Sequence, residues 1–151
     1  MRGYCGIGIE RWLKDENIGT LWRTAFVLGA DFMFTVGRPY KFQASDTTAS
    51  YRHVPLWNFE TLDDLVAASP TGAMLVGIEQ DPRAVELCRF THPERAIYLL
   101  GSERHGLSDE AKRTCAALVQ VDAPLCLIVA VAGSIVLWHR RNVARRSRAF
   151  H

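Results

Sequence analysis

The stretch VQVDAPLCLIVAVAGSIVLWHRR, residues 119–141, decides the fold, because it fits either a membrane anchor or a buried helix. Its uncharged run, Ala123–Trp138, is 16 residues long, contains Pro124 near its start and ends in a basic flank. A helix that spans a bilayer needs about 20 predominantly apolar residues. A shorter run that contains proline is more typical of a core element. We therefore expect a loop to about Leu127, followed by a helix to about Arg145.

The composition of the whole chain favours a soluble globular protein. The chain has 151 residues, the length of one domain, with 48% apolar and 23% charged residues. Its four cysteines (Cys5, Cys88, Cys115 and Cys126) lie far apart, and no Cys/His spacing resembles a zinc site. Since no signal peptide is visible either, we expect reduced thiols, a cytoplasmic location, no metal and no membrane contact.

Short apolar strands alternate with helical patterns along the chain. The predicted strands are Tyr4–Ile9, Phe32–Val36, Ala73–Ile78, Ala96–Leu100 and Leu118–Val121. The first predicted helix runs from an Asn17 cap to Leu28, with Gly29 as the stop. Further helices are predicted over Leu62–Ala68, from Pro82 to about Phe90, and from about residue 128 to 145. Another helix is predicted to begin after a Ser108 cap. Residues 38–58 are predicted as a long polar loop. Apolar strands separated by helices indicate a parallel sheet covered on both faces, hence an α/β domain.

Three loops with reactive side chains follow predicted strands, namely residues 15–23, 101–106 and 122–128. Ligands of such sheets bind beyond the carboxyl ends of the strands. Each loop also has an ordinary explanation: Asn17 as a helix cap, residues 101–106 as a tight strand-to-helix turn, and the third as the approach to a buried helix whose small residues allow close packing. The GIG at Gly6–Gly8 is too fragmentary for a dinucleotide fingerprint.

Taken together, the three motifs resemble the SpoU (TrmH-like) branch of the SPOUT RNA methyltransferases. NIGTLWRTAFVLGA (residues 17–30) is similar to the family's N-x-G-x-x-x-R-T-A…G-A, and GSERHGLS (residues 101–108) resembles its G-S-E-x-x-G-L-S. Residues 119–138 resemble I-P…S-L-N-V-x-V-A-x-x-I-x-L-Y, and TASYRHVPLW (residues 48–57) resembles the segment between the second and third strands. The resemblance covers nearly the whole chain. It implies a single SPOUT-like methyltransferase domain over residues 1–151, with a mostly parallel sheet, helices on both faces, a C-terminal trefoil knot and a homodimer.

The resemblance also implies a reaction. Members of this branch transfer a methyl group from S-adenosylmethionine to a ribose 2′-hydroxyl of tRNA or rRNA, and the reaction needs no metal. The implied catalytic residues are Arg23, Asn17 and Glu103. Arg23 would activate the hydroxyl or, because a guanidinium stays protonated, grip the adjacent phosphate. Asn17 would position Arg23 or the substrate, and Glu103 would orient them. The implied cofactor-binding residues are Gly101, Val121, Leu127, Ile78 and Cys126.

Two departures from the family pattern keep alternatives open. Cys126-Leu127-Ile128 stands where the family has S-L-N, and Val121-Asp122 stands where it has I-P. Ile128 cannot form the hydrogen bonds that an asparagine side chain offers. The chain could therefore be a catalytically weak or inactive RNA-binding relative. A C-terminally anchored membrane protein is the third reading of residues 119–141.

Basic residues indicate where RNA could lie. In the long loop, Arg38, Lys41 and Arg52 are interleaved with Tyr40, Phe42, Tyr51 and His53, a mixture that suits RNA backbone and base contacts but also a soluble surface loop. The C-terminus carries Arg140, Arg141, Arg145, Arg146 and Arg148 without an acidic residue. These arginines can neutralise phosphates, or they can belong to a water-exposed helix end, where positive charge suits the C-terminal dipole.

Overall fold

A seven-stranded sheet forms the centre of the protein. The structure, a computed structural model, describes residues 3–41 and 49–149. The strands are β1 (Tyr4–Glu10), β2 (Phe32–Val36), β3 (Leu56–Phe59), β4 (Met74–Ile78), β5 (Val85–Glu86), β6 (Arg95–Leu100) and β7 (Ala117–Gln120). Their order in the sheet is β3-β2-β1-β6-β4-β7-β5, and every adjacent pair is parallel. The predicted α/β class with a parallel sheet is confirmed.

Four helices cover both faces of this sheet, as predicted. They are α1 (Asp15–Leu28), α2 (Leu62–Ala68), α3 (Asp109–Thr114) and α4 (Val129–Ala149), and there are 3₁₀ turns at Ser50–Arg52 and Leu87–Arg89. The buried faces of α1 and α4 share one apolar core with the sheet. Those of α2 and α3 share a second core on the opposite face. The trefoil knot stays a prediction.

The sequence predicted the ends of two helices correctly, at Ser108 and at Gly29. Ser108 caps α3 by accepting a hydrogen bond from the Ala111 amide at 3.1 Å, Thr61 forms a capping box with Asp64, and Gly29 ends α1 with a φ of 82°. The predicted Asn17 cap is wrong. Helix α1 begins two residues earlier, at Asp15, so that Asn17 lies inside its first turn and its side chain is available for another partner.

Two predicted segments differ from the structure. The helix expected over 82–90 is instead the short strand β5 followed by a 3₁₀ turn, because Val85 and Glu86 pair with β7 at the edge of the sheet. The loop expected over 38–58 contains the start of β3, which pairs with β2 at the opposite edge. In both places pairing with a distant strand determines the local conformation and outweighs the local sequence signals.

The glycines of β1 have a packing role. A Cβ atom on Gly6 would overlap the Phe32 ring, and one on Gly8 would overlap Phe34. The neighbouring strand β2 can therefore bring its phenylalanines against the backbone of β1. This contact explains the GIG pattern without a nucleotide.

Helix α4 packs closely on α1, which is the packing expected from its small residues. A Cβ on Gly133 would come within 2.6 Å of Leu21 Cδ1, and the Ser134 and Thr24 hydroxyl oxygens lie 3.2 Å apart. Val136 and Leu137 of α4 are fully buried in the shared core. None of the helices in residues 3–41 and 49–149 is both long enough and apolar enough to span a bilayer.

Candidate active site

A cavity of about 870 Å³ opens at the carboxyl ends of the central strands. This volume lies within the range of small-molecule sites. The three loops singled out in the sequence converge on it. Seven of the eight predicted site residues line its wall: Asn17, Ile78, Gly101, Glu103, Val121, Cys126 and Leu127. The eighth, Arg23, does not.

Asn17 and Glu103 are in direct contact. The Asn17 side-chain amide donates to Glu103 Oε1 at 2.7 Å, and the backbone N–H groups of Leu13 and Lys14 donate to the same carboxylate at 2.8 and 3.1 Å. Partial burial opposes the ionisation of Glu103. The hydrogen bonds from Asn17 and the backbone outweigh this effect and hold the pKa of Glu103 below its usual value. Glu103 therefore ties the loop after β6 to the N-terminus of α1 as a carboxylate.

The loop after β6 folds back on itself. Ser102 and Gly106 exchange two backbone hydrogen bonds of 3.1 and 3.0 Å, and the Ser102 hydroxyl accepts from the His105 amide at 3.1 Å. Gly106 has a φ of 65°, and a Cβ on Gly101 would overlap the backbone of Gly106. Both glycines are needed for the tight fold of this loop at the cavity wall.

Two further carboxylates, which the sequence reasoning missed, hold this loop from either side. Glu79 follows β4 and accepts from the Leu107 amide at 2.7 Å. Glu10 ends β1, is 5% exposed, and accepts from the Ser108 amide at 3.0 Å and the Ser108 hydroxyl at 2.6 Å. Strands β1 and β4 both flank β6 and both lead into the letters GIE. A repeated glutamate at the ends of two apolar strands was the signal that could have identified them.

Gln80 anchors the third loop. Its side-chain amide donates to the Ala123 carbonyl at 3.2 Å, and the Cys126 thiol donates to its carbonyl oxygen at 3.2 Å. Within the part of the chain that the structure describes, no backbone N–H of residues 122–127 donates to another protein group. The backbone of this loop therefore retains donors for a ligand in the cavity.

Ile128 lies on the cavity wall with 65% of its surface exposed. Its carbonyl accepts the first hydrogen bonds of α4, from the amides of Val131 and Ala132 at 2.9 and 3.0 Å. It thus occupies the capping position, where asparagine is among the preferred residues and isoleucine is not. The departure from the family motif removes a polar group from the wall and a side-chain cap from the helix.

Arg23 lies on α1 outside the cavity. Its side chain is exposed and forms no hydrogen bond or ion pair with residues 3–41 or 49–149. Residues three apart are neighbours on a helix surface, and Asn17, Thr20 and Arg23 form one such row. Asn17 and Thr20 line the cavity, so Arg23 continues their row one turn further along, about 5 Å from Thr20 along the helix axis.

Several residues that were predicted to contact RNA instead contact other parts of the protein. The Arg38 guanidinium lies 4.0 Å from the centre of the Trp12 ring and donates to the Leu13 carbonyl at 3.1 Å, while Tyr40 packs edge-on against Trp12. Arg140 donates to the carbonyls of Pro93 and Glu94 at 2.6 and 2.8 Å, and Arg141 to that of Val27 at 2.9 Å.

The other residues that were predicted as RNA contacts lie in the predicted long loop and at the C-terminus. Lys41, Tyr51, Arg52, His53 and Arg146 are exposed. Phe42 lies outside the described residues, and nothing is described of the side chains of Arg145 and Arg148.

The fold and its cavity define an α/β protein that would hold a ligand in loops at the carboxyl ends of a parallel sheet. The model of the SpoU rRNA Methylase family matches residues 7–138, and the chain belongs to this family.

Individual relatives agree with this assignment. The chain is 27% identical over 136 residues to the tRNA (guanosine(18)-2′-O)-methyltransferase TARBP1 of Mus musculus, covering 83% of this chain but 8% of that protein. The AdoMet-bound rRNA methyltransferase of Sinorhizobium meliloti superposes with a TM-score of 0.83 at 23% identity, over 95% of this chain and 57% of that one. The TrmH/SpoU tRNA modifying enzyme of A. aeolicus gives 0.84 at 16% identity, over 97% and 78%. The chain thus spans less than two thirds of the mouse and Sinorhizobium proteins.

Proposed function

We propose that this protein transfers a methyl group from S-adenosylmethionine to a ribose 2′-hydroxyl of tRNA or rRNA. The observation that carries the proposal is the convergence of three separate loops on one cavity, where Asn17 donates to Glu103 at 2.7 Å. Membership of the SpoU rRNA Methylase family supports it, as do the methyltransferase activities of the mouse and Sinorhizobium relatives.

The residues of the cavity fit the proposed cofactor. Ile78, Val121 and Leu127 give an apolar wall suited to an adenine ring, and the backbone of residues 122–127 offers N–H donors. Gly101 and Cys126 line the same wall. Bound there, S-adenosylmethionine would supply a methyl group already activated on a sulfonium.

The chain's own residues would align the acceptor. A 2′-hydroxyl is a poor nucleophile and must be held in line with the methyl group while it loses its proton. Arg23, one turn beyond the cavity on the row of Asn17 and Thr20, is placed to grip a phosphate at the cavity mouth. Asn17, held by Glu103, would orient the ribose. Lys14 lines the cavity and would add charge attraction to the RNA backbone, whereas Lys112 lies 3.5 Å from the Asp81 carboxylate.

Transfer of tritium from labelled S-adenosylmethionine into bulk tRNA or rRNA tests the proposal. Wild-type protein should label one of these RNAs, and Asn17→Ala should lose most of the activity. Heat-shift stabilisation by S-adenosylhomocysteine tests the cavity separately and should follow mass action. A protein that is stabilised by neither cofactor nor product, and that labels no RNA, would contradict the proposal.

A homodimer is the second part of the proposal. Val131, Ser134, Ile135 and Trp138 share one face of α4 and, together with Leu28, line an apolar groove of about 350 Å³. Trp138 is 58% exposed there. A second copy of the chain would remove this surface from water. Sedimentation should show a dimer for the wild type and dissociation for Trp138→Glu, whereas Trp57→Glu, an exposed tryptophan on β3, is the matched control.

One observation favours a different function, a catalytically weak relative that binds RNA. Ile128 puts a hydrocarbon surface on the cavity wall where the family motif has asparagine. Binding of S-adenosylhomocysteine and RNA without methyl transfer would favour this alternative. We further propose a cytoplasmic location, which is supported by four free cysteine thiols.

A further inference from the structure

We propose that Phe26 and His53 form a stacking platform for an unpaired base of the RNA, next to the nucleotide in the cavity. This inference rests on the proposed RNA substrate and adds a surface outside the cavity. It starts from two exposed rings that already stack on each other: their centroids are 4.4 Å apart and their planes differ by 17°. Phe26 is 42% exposed and His53 is also exposed.

The platform is held rigidly. The Trp22 ring N–H donates to the Val54 carbonyl at 2.8 Å in a buried hydrogen bond, which fixes the residue after His53 to α1. The amides of His53 and Val54 both donate to the Ser50 carbonyl, at 3.0 and 2.9 Å. A ring fixed in this way loses little conformational freedom when a base stacks on it, which favours binding.

The platform lies on the path from the cavity. Phe26 is three residues from Arg23, so these two side chains are neighbours on the surface of α1. Phe26 is six residues from Thr20, which lines the cavity, and this corresponds to about 9 Å along the helix axis and about 120° around it. Arg23 lies between them, where a phosphate linking two nucleotides would pass. The order along the helix is thus cavity, cation and aromatic surface.

The charges around the platform suit RNA. Residues 20–28 and 49–57 contain Arg23 and Arg52 and no acidic residue. The Arg52 guanidinium lies 5.7 Å from the centre of the Tyr51 ring, and both residues are exposed. Aromatic rings interleaved with cations are the usual means by which proteins hold single-stranded RNA. Arg38 and Tyr40, which are used in packing, do not contribute to this surface.

The test measures binding of a short single-stranded oligoadenosine and of unfractionated tRNA to the full chain. Loss of one stacking contact corresponds to a rise in Kd of about 5- to 150-fold. We expect Phe26→Ala and His53→Ala each to weaken binding at the lower end of that range, about tenfold or less, while Phe26→Tyr and His53→Phe, which keep a ring, retain it. Trp57→Ala, an exposed tryptophan on β3, is the control for loss of an aromatic ring and should bind normally.

Salt dependence separates stacking from charge. Phe26→Ala should leave the slope of log K against log salt unchanged, whereas Arg52→Ala should reduce it by about 0.7. S-adenosylhomocysteine should still stabilise Phe26→Ala in a heat-shift assay, since the platform lies outside the cavity.

If the variants bind RNA as the wild type does, or the wild type binds no RNA, the platform is wrong. If Phe26→Ala separates a dimer into monomers, the surface is a contact between copies and the inference is overturned. Altered RNA binding without any methyl transfer would sustain the platform and count only against the proposed reaction.

Discussion

Acidification should weaken the attachment of α4 to the sheet through one partly buried histidine. His92 Nδ1 lies 2.6 Å from the Tyr98 hydroxyl, and His92 Nε2 lies 2.8 Å from His139 Nδ1 on α4. Arg140 donates to the Tyr98 hydroxyl at 3.2 Å, and we assign the hydroxyl proton to the hydrogen bond with His92 Nδ1, which gives that proton an acceptor. The remaining proton of neutral His92 is then on Nε2 and points at His139. A second proton on His92 would put two donors face to face at Tyr98.

The sign and size of the effect follow from the pKa of His92. Burial, helped by the charges of His139 and Arg140, lowers this pKa from 6.5 to about 4. Between these values the unfolded chain binds a proton that the folded chain does not, so the free energy of unfolding falls as the pH is lowered from 6.5 to about 4. At about 1.4 kcal/mol for each pH unit the full loss is roughly 3–4 kcal/mol, which we reduce to roughly 2 kcal/mol because His92 is only partly buried. His139, whose pKa is also lowered by burial, acts in the same direction.

Urea unfolding at a series of pH values measures this loss. By about pH 5 the wild type should have lost roughly 1 kcal/mol through His92. His92→Gln, which keeps a polar side chain but does not titrate, should be less stable than the wild type at neutral pH and should lose less on acidification. His53→Gln removes an exposed imidazole and is the matched control. The comparison between variants is needed because paired carboxylates also lose stability in acid.

Parallel stability curves would refute the reasoning. If the wild type and His92→Gln lose the same free energy between pH 6.5 and about 5, His92 does not titrate as its surroundings require. A wild type that becomes more stable over this range would show that the charged form is favoured in the folded chain.

Three other outcomes follow from the site. Ile128→Asn should raise the free energy of unfolding by about 0.5–1 kcal/mol in thermal melting because it caps α4, and it should also increase methyl transfer. Ile128→Ser supplies a cap alone, so equal activity of the two variants would contradict a catalytic role for the asparagine side chain. Glu103→Ala should lower the free energy of unfolding in urea by about 1–3 kcal/mol because three donors lose their acceptor, and Glu103→Gln should lie between it and the wild type. A Glu103→Ala variant as stable as the wild type would contradict the hydrogen-bond pattern. Gly106→Ala should abolish the heat shift given by S-adenosylhomocysteine, because its Cβ would meet the Glu79 carboxylate and its φ is positive; an unchanged heat shift would show that the loop can adapt.

The apolar strands and the clustering of the loops could be predicted from the sequence because each depends on local pattern. Runs such as AIYLL and MLVGI are continuous apolar segments, and parallel strands bring their carboxyl ends to one edge whatever their order. The loops that contain Asn17, Gly101 and Leu127 could therefore be predicted to lie at one edge of the sheet, whereas the roles of these residues came from the family resemblance.

The features that could not be predicted depend on partners far away in the chain. Pro82 favours a helix start locally, yet Val85 pairs with Val119 at the sheet edge. The position of Arg23 outside the cavity depends on the rotation of α1 about its axis, which is determined by its packing against α4. The hydrogen bond from the Ser108 amide to the Glu10 carboxylate joins residues 98 positions apart, and no local pattern predicts such a contact.

The contact between Ser134 and Thr24 has a consequence for the order of folding, because it joins residues 110 positions apart. A chain that is still being synthesised presents the apolar face of α1 long before α4 exists to cover it. Contacts at such long sequence separation slow folding and leave intermediates prone to association. Helix α4, which is made after α1, therefore closes over it, and a chain shortened before Gly133 would lack the helix that packs on Leu21.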